Sequence, residues 1–356
     1  IKVAILYGGR SVEHGVSINS ARNIVEYLDK NKFEPLLIGI STAGVWHKNS
    51  TVNKDIEAGE RINLQLNPQK AGFISQQGIV YRADVVFPVL HGTDGEDGSI
   101  QGLLQAMSMP MVGTGVLGSA MSMNKFVAKK ILQEAGLPVA KFLCYYFEDR
   151  EQINVKNISS KLGLPFMIKS ASLGSSVGVS KVNDKADLKK AVDEAFKYDD
   201  CLLAEEYIKG REIECAILGN NPPQASFPGE IIINSKYEFY TFDAKYVDGE
   251  AVKIDVPAKL DKEIIETIRQ YSLKAYQALK CEDFSRVDLF LADDGRVFVN
   301  EINTIPGFTN SSMFPMMWKE RGLSFTDLIT KLIELSLERT KRSARIQKDF
   351  QSALKF

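Results

Sequence analysis

The Asp293-Asp294-Gly295-Arg296 turn, set between two stretches of alternating apolar residues, constrains this chain more than any other local signal. An Asp-Gly pair in that setting marks a β-hairpin. With Asp294 and Gly295 as a two-residue turn, Asp293 faces Arg296. Counting outward sets Asp288 opposite Glu301 and Arg286 opposite Asn303. A four-residue loop keeps this register, whereas a three-residue loop shifts it by one. Side chains alternate along a strand, so Arg286 and Asp288 share one face, as do Glu301 and Asn303. Carboxylates with Cβ atoms roughly 5 Å apart across a strand pair repel unless a positive charge lies between them. Mg²⁺ takes oxygen ligands, commonly one or two carboxylates plus substrate phosphates. The hairpin therefore predicts a platform for metal and phosphate. The plainer alternative is a solvated strand face neutralised by Arg286.

At 356 residues the chain is too long for one compact core and suggests two or three domains. Hydrophobic residues make up 44% and charged residues 25%, ordinary for a globular protein. The formal net charge is −1 with no block of like charges, so no footprint for nucleic acid is visible. No apolar run approaches the roughly 18 residues of a membrane span, and Ile1–Leu6 is too short for a signal core. The chain starts at Ile1, not Met, which leaves room for a short natural beginning. Cys144, Cys201, Cys215 and Cys281 form no CxxC pair, and His14, His47 and His91 lack zinc-ligand spacing. Free thiols of this kind fit a cytoplasmic location.

The first third alternates strands and helices. Lys2–Leu6 is an apolar strand broken by Gly8-Gly9, with a helix expected over about Ser17–Leu28. Asp84–Leu90 is a second apolar strand, ending in a polar turn from His91 to Gly98. Strand, glycine turn and helix are the grammar of an open parallel α/β sheet, with ligands at the C-terminal ends of its strands. Gly113-Thr114-Gly115-Val116-Leu117-Gly118 matches GxGxxG, but its preceding strand is short and Glu134 lies within a helix. A close-packed crossover is the expected reading, not a dinucleotide site.

From Met121 a second unit begins. A helix is expected over Asn124–Ala135, stopped by Gly136, with Lys125 and Lys129 one turn apart so that one faces solvent and the other a cleft. Pro165–Lys169 and Val177–Val182 read as strands, Asp184–Tyr198 as an amphipathic helix and Cys201–Tyr207 as a strand. From Arg211 the pattern is antiparallel. The polar, aromatic segment 236–256 has little periodicity and reads as a lid. A helix over 261–279, the hairpin and a final helix from Phe325 follow.

Gly174-Ser175-Ser176-Val177-Gly178, between two strands, can bend backbone N–H groups over phosphate oxygens. It is no Walker loop, and a plain hairpin turn is the alternative. Lys169, at the end of the strand feeding the loop, favours the anion. Lys125, Lys169, this loop, Glu205 to Ile208 and the Asp288/Glu301/Asn303 cluster resemble the ATP-grasp superfamily in chain order. The resemblance spans nearly the whole chain. Gly8-Gly9-Arg10-Ser11-Val12-Glu13-His14, Leu90-His91-Gly92-Thr93-Asp94-Gly95-Glu96-Asp97-Gly98, Ser172-Leu173-Gly174-Ser175-Ser176-Val177-Gly178 and the run from Asn300-Glu301-Ile302-Asn303 to Thr309 are similar to the D-alanine–D-alanine ligases.

The resemblance implies an α/β fold of three domains. These are an N-terminal open parallel α/β sheet (1–120) and two α+β ATP-grasp domains (121–210 and 211–356) that clamp the nucleotide. It implies that ATP phosphorylates one D-alanine, whose acyl group then passes to the amine of a second, with two Mg²⁺ ions (or Mn²⁺) held by Asp288, Glu301 and Asn303. Lys125, Lys169, Ser176, Glu205, Glu206, Ile208 and Glu212 match ATP-binding positions. Arg286 and the Gly307 N–H match the pair that stabilises the oxyanion. Glu13 matches the carboxylate on the first ammonium and His91 a neighbour of that site. Lys245, Ser312 and Met313 match the second substrate's surroundings. Glu13, Ser175 and Tyr246 match a triad that closes the lid, and Tyr246 favours D-alanine over D-lactate or D-serine as acceptor. Gly15 and Leu173 depart from the family pattern without touching these positions. A homodimer through the first domain, use in peptidoglycan synthesis, and the absence of nucleic-acid and membrane partners complete the expectation. A silent nucleotide-binding scaffold and a different carboxylate–amine ligase are the rivals.

Overall fold

A computed structural model describes residues 1–174, 177–234 and 252–347. These described residues form three sheets in sequence order. In the first, β1 (Lys2–Gly8), β2 (Glu34–Ile40) and β7 (Val85–Pro88) run parallel, with β1 between the others. Val3 to Tyr7 are wholly buried, as befits an apolar run covered on both faces. Four more strands extend the edge as an antiparallel meander: β3 (Trp46–Asn49), β4 (Glu60–Gln65), β5 (Gly72–Ser75) and β6 (Val80–Tyr81). The sheet expected to be parallel is therefore mixed. Links as short as residues 41–45 cannot make a crossover, so they join antiparallel neighbours.

Helix α1 (His14–Tyr27) starts three residues before the expected Ser17 and carries Glu13 as its N-cap. Next come α2 (Ser99–Ala106), α3 (Val116–Met123) and α4 (Lys125–Glu134). The Asn124 side chain caps α4 by accepting from the Val127 N–H. The glycine-rich stretch before α3 is a crossover, as expected. A Cβ on Gly118 would lie 2.6 Å from the Lys280 carbonyl oxygen and 2.5 Å from the Thr114 methyl.

The second sheet is antiparallel, in the order β10-β9-β11-β8. Its strands are β8 (Phe142–Tyr146), β9 (Phe166–Ser170), β10 (Val179–Val182) and β11 (Cys201–Glu206). Helices α5 (Val155–Leu162) and α6 (Lys185–Ala195) bury Ile158, Leu188 and Val192 against Phe166, Ile168 and Leu202. Asp184 caps α6 through the Ala186 and Asp187 N–H groups.

In the third sheet the order is β15-β14-β12-β16-β17, with β13 (Gln224–Ala225) added to β12. The strands are β12 (Gly210–Leu218), β14 (Gly229–Ile233), β15 (Val252–Asp255), β16 (Phe284–Ala292) and β17 (Val297–Asn303). β15 falls within the segment expected to be lid; Val252-Lys253-Ile254-Asp255 does alternate apolar and charged residues, but a run of four at the end of a polar segment is too short to stand out. Residues 235–251, including Lys245 and Tyr246, lie outside the described residues, as do Ser175 and Ser176.

Helix α7 (Lys262–Ala278) covers the sheet, followed at the end of the chain by α8 (Met313–Glu320) and α9 (Phe325–Ser343). Leu328, Ile329, Leu332 and Ile333 of α9 share one core with Ile5, Tyr7, Ile24 and Phe87. The end of the chain thus locks onto the first sheet. Arg339 ties the same units by donating to the Met111 and Gly113 carbonyls and pairing with Asp283 at 2.9 Å.

Candidate active site

The hairpin reaches the expected pairing by an unexpected route. The Ala292 N–H donates to the Arg296 carbonyl, so the loop holds three residues, 293–295, with Gly295 left-handed at φ 84°. This shifts the register, and Leu289 pairs with Val299. A bulge then leaves Asn300 without a partner, restoring Asp288 opposite Glu301 and Arg286 opposite Asn303. Two one-residue shifts cancel.

On the neighbouring side Glu214 of β12 pairs with Asp288, so three carboxylates stand in a row across β12, β16 and β17. Arg286 holds Asp288 through both oxygens at 2.7 Å and lies 3.0 Å from Glu214. The Arg286 and Asp288 side chains are 15% and 18% exposed, which rules out a solvated face. Lys125 Nζ lies 3.6 Å from Glu301 Oε2 at the other end of the row. Asp288, Glu301 and the Asn303 amide offer hard oxygen donors, and crowded carboxylates favour a cation among them. These residues fit Mg²⁺. Among the described residues no set of three or more His, Cys, Asp or Glu side chains forms a metal cage, so phosphate and water would complete the shell.

Two cavities flank the row. One, of about 610 Å³, is lined by Glu13, His91, Arg286, Asn303, Gly307 and Ser312, with Met313 beside them. The other, of about 400 Å³, is lined by Lys169, Glu205, Glu206, Ile208, Glu212 and Asp288. Lys125, Glu214 and Glu301 line both, so the two ends of the acidic row form their common wall, while Asp288 lines the second cavity.

In the first cavity the ends of β1 and β7 meet the loop after β17. The His91 ring is buried, with Nδ1 2.9 Å from the Ile305 carbonyl and Nε2 2.9 Å from Ser20 Oγ. A carbonyl only accepts, so the proton sits on Nδ1 and Ser20 donates to Nε2. Burial pushes the His91 pKa down, which keeps the ring neutral. Glu96 accepts from the Gly92 N–H at 2.7 Å and the Ile305 N–H at 3.1 Å. Burial, with the Glu13 charge second, pushes its carboxyl up to about 8. Ser312 occupies the N-cap position of α8 without a side-chain capping bond, and its Oγ accepts from the Thr309 N–H at 3.1 Å. Asn303 Oδ1 accepts from the Ile305 N–H at 3.1 Å, which orients the amide.

Beside the second cavity, Lys125 and Lys129 both turn inward, correcting the expectation that one faces solvent. Residues four apart on a helix share a face. Lys129, 1% exposed, lies 3.0 Å from Glu205 Oε1, while Lys169 lies 2.6 Å from Glu205 Oε2. Burial pushes the Glu205 carboxyl up, yet the two ammonium groups hold it down at about 2. The Glu205 carboxylate thus serves the lysines. The bulged Asn300 turns its Oδ1 to within 3.4 Å of Lys169 Nζ.

Sequence reasoning missed Glu214 and gave Lys129, Glu96 and Asn300 no role of their own. Strand alternation from Glu212 could have found Glu214, and the helical spacing of Lys125 and Lys129 already put both on one face. The bulge left no local mark that separates it from a regular strand.

The family description "D-ala D-ala ligase N-terminus" matches residues 2–114, and "D-ala D-ala ligase C-terminus" matches residues 131–334. The chain belongs to the D-alanine–D-alanine ligase family. It is 45% identical to the D-alanine–D-alanine ligase of Shouchella clausii, with 97% of each chain covered. It is 46% identical to D-alanine–D-alanine ligase A of Salmonella typhimurium, covering 95% of this chain and 96% of the other. Among solved structures, the D-alanine-D-alanine ligase of Coxiella burnetii superposes with a TM-score of 0.86 at 36% identity, covering 97% of each chain. The VanG D-Ala:D-Ser ligase of Enterococcus faecalis also gives 0.86 at 36% identity, over 94% of this chain and 99% of that one. Two family members with different named products thus share this fold to the same degree. The family's ATP-grasp architecture accounts for a cavity between the second and third sheets.

Proposed function

We propose that this protein uses ATP to join two D-alanine molecules, releasing D-alanyl-D-alanine, ADP and phosphate for peptidoglycan precursor synthesis. The observation that carries the reading is the shared wall. The cavity that holds Glu13, Arg286 and Ser312 and the cavity that holds Lys169, Ile208 and Glu212 meet at Glu301 and Lys125, where a phosphoryl group can cross from one to the other.

In this reading Glu13 binds the ammonium of the first D-alanine, whose carboxylate attacks the γ-phosphorus of ATP. The P–O bond to ADP breaks, leaving an acylphosphate. The amine of the second D-alanine, its carboxylate near Ser312, attacks the acyl carbon and loses a proton, and phosphate departs from the tetrahedral intermediate. Arg286 and the Gly307 N–H line the same cavity and would carry the oxyanion's charge; removing one such donor typically costs about 3 kcal/mol. Lys125 and Lys169 would bind phosphates, and Glu206, Ile208 and Glu212 the nucleoside. Mg²⁺ held by Asp288, Glu301 and Asn303 would neutralise phosphate charge. Ser175, Ser176, Lys245 and Tyr246 complete the proposed site from the family resemblance, as loop and lid residues that exclude water from the acylphosphate.

From the family resemblance we also propose a cytoplasmic homodimer that pairs through its first domain. No described helix is long and apolar enough to cross a membrane. A coupled ADP-release assay with D-alanine, D-serine and D-lactate tests the function. ADP release dependent on Mg²⁺ and D-alanine, with dipeptide formed, is the expected result. Amino-acid-independent ATP hydrolysis, or product with D-lactate alone, would refute it. The likeness to a D-Ala:D-Ser ligase makes D-serine the second acceptor to try.

A further inference from the structure

Glu205 is a buried carboxylate shared by two lysines that are not equivalent. Lys169 lines the nucleotide cavity together with Glu205 and Asn300. Lys129 stands behind them, 1% exposed, and reaches Glu205 Oε1 at 3.0 Å and the Asn300 carbonyl at 3.3 Å. Two ammonium groups and one carboxylate leave this cluster one positive charge in excess, facing the cavity through Lys169.

A phosphate that draws Lys169 away takes a counter-ion from Glu205. A carboxylate 1% exposed cannot be left without one, because a buried unpaired charge is strongly destabilising. Lys129 supplies the second partner, and its anchor on Asn300 keeps it in place while Lys169 moves.

We propose that Lys129 is a positioning residue, a fixed counter-ion that keeps Glu205 neutralised and so releases Lys169 to a nucleotide phosphate. The inference rests on reading the cavity as the ATP site. It goes beyond that reading by giving a function to a lysine that does not line the cavity.

Calorimetric titration with ATP and with adenosine tests it, beside steady-state KM values. In Lys129→Met, Lys169 becomes the sole counter-ion of Glu205. ATP binding should weaken by about 10–100-fold while adenosine binding and the KM for D-alanine change little. In Lys129→Met/Glu205→Gln the carboxylate charge is gone, and ATP affinity should return to that of Glu205→Gln alone within about threefold. Unchanged ATP affinity in Lys129→Met would overturn the proposal, as would equal losses for ATP and adenosine. If Lys129→Met does not fold, the comparison of Glu205→Gln with the double variant decides: equal affinities support the proposal, and a further loss overturns it. Wild-type protein that binds no ATP would overturn the site reading itself, and this inference with it.

Discussion

Asp288 and Glu301 stand opposite each other across β16 and β17 because Asn300, next to Glu301, is left out of the ladder. The same bulge sends the Asn300 side chain to Lys169 and its carbonyl to Lys129. One extra residue thus aligns the proposed metal ligands and links them to the lysine cluster beside another sheet, as bulges beside active sites often do.

Asp288→Asn keeps the shape and removes one charge from the acidic row. Turnover should fall by at least about 100-fold, with the Mg²⁺ optimum moved to higher concentration. Arg286 retains Glu214, 3.0 Å away, so stability should change by no more than about 1 kcal/mol. ADP release against Mg²⁺ concentration, beside a urea melt, checks both; wild-type turnover would remove Asp288 from the metal site.

Glu96 titrates at about 8 in the fold, raised first by burial and then by Glu13, against an ordinary value of about 4.3 when unfolded. Between these values the folded chain holds a proton that the unfolded chain has released. This contribution is fully present below pH 4.3 or so and is lost as pH rises through about 8. Glu96→Gln should flatten the decline and be more stable than wild type at pH 9, by on the order of 1–3 kcal/mol. Urea midpoints at pH 5, 7 and 9 measure it, and parallel curves for the two proteins would contradict the assignment.

Gly118→Ala should lower stability by about 1–3 kcal/mol, because its methyl would meet the Lys280 carbonyl oxygen at 2.6 Å. ATP binding should be unaffected in the folded fraction, since Gly118 lines neither cavity. Loss of nucleotide affinity without loss of stability would contradict the packing role of the GxGxxG stretch.

Tyr246→Phe tests the acceptor preference that the resemblance assigns to the lid. Competition between D-alanine and D-lactate should shift toward the hydroxy acid at lower pH by about 10-fold or more, the scale on which one lost hydrogen bond changes selectivity. An unchanged ratio would detach Tyr246 from acceptor choice.

Much of this molecule is written in short windows of sequence. Apolar runs mark β1 and β7, Asn124 and Asp184 mark helix starts, and the Asp-Gly turn marks the hairpin that carries Asp288 and Glu301. The pairing of those two carboxylates was legible, although the loop length and the bulge that together produce it were not. A three-residue loop and a one-residue bulge leave the alternation at both ends of the hairpin intact, so their opposite shifts cannot be seen from sequence.

The chain alone therefore determined part of the element order, the acidic face and the family resemblance, because alternation, capping and turn chemistry act between near neighbours. Tertiary structure alone decided what those residues meet. Lys129 reaches a carbonyl 171 positions away, and His91 reaches one 214 positions away. It also decided that the two cavities share one acidic wall and that Glu205 serves two lysines. Desolvation and charge pairing depend on every atom that packs around a site, and those atoms come from all three sheets.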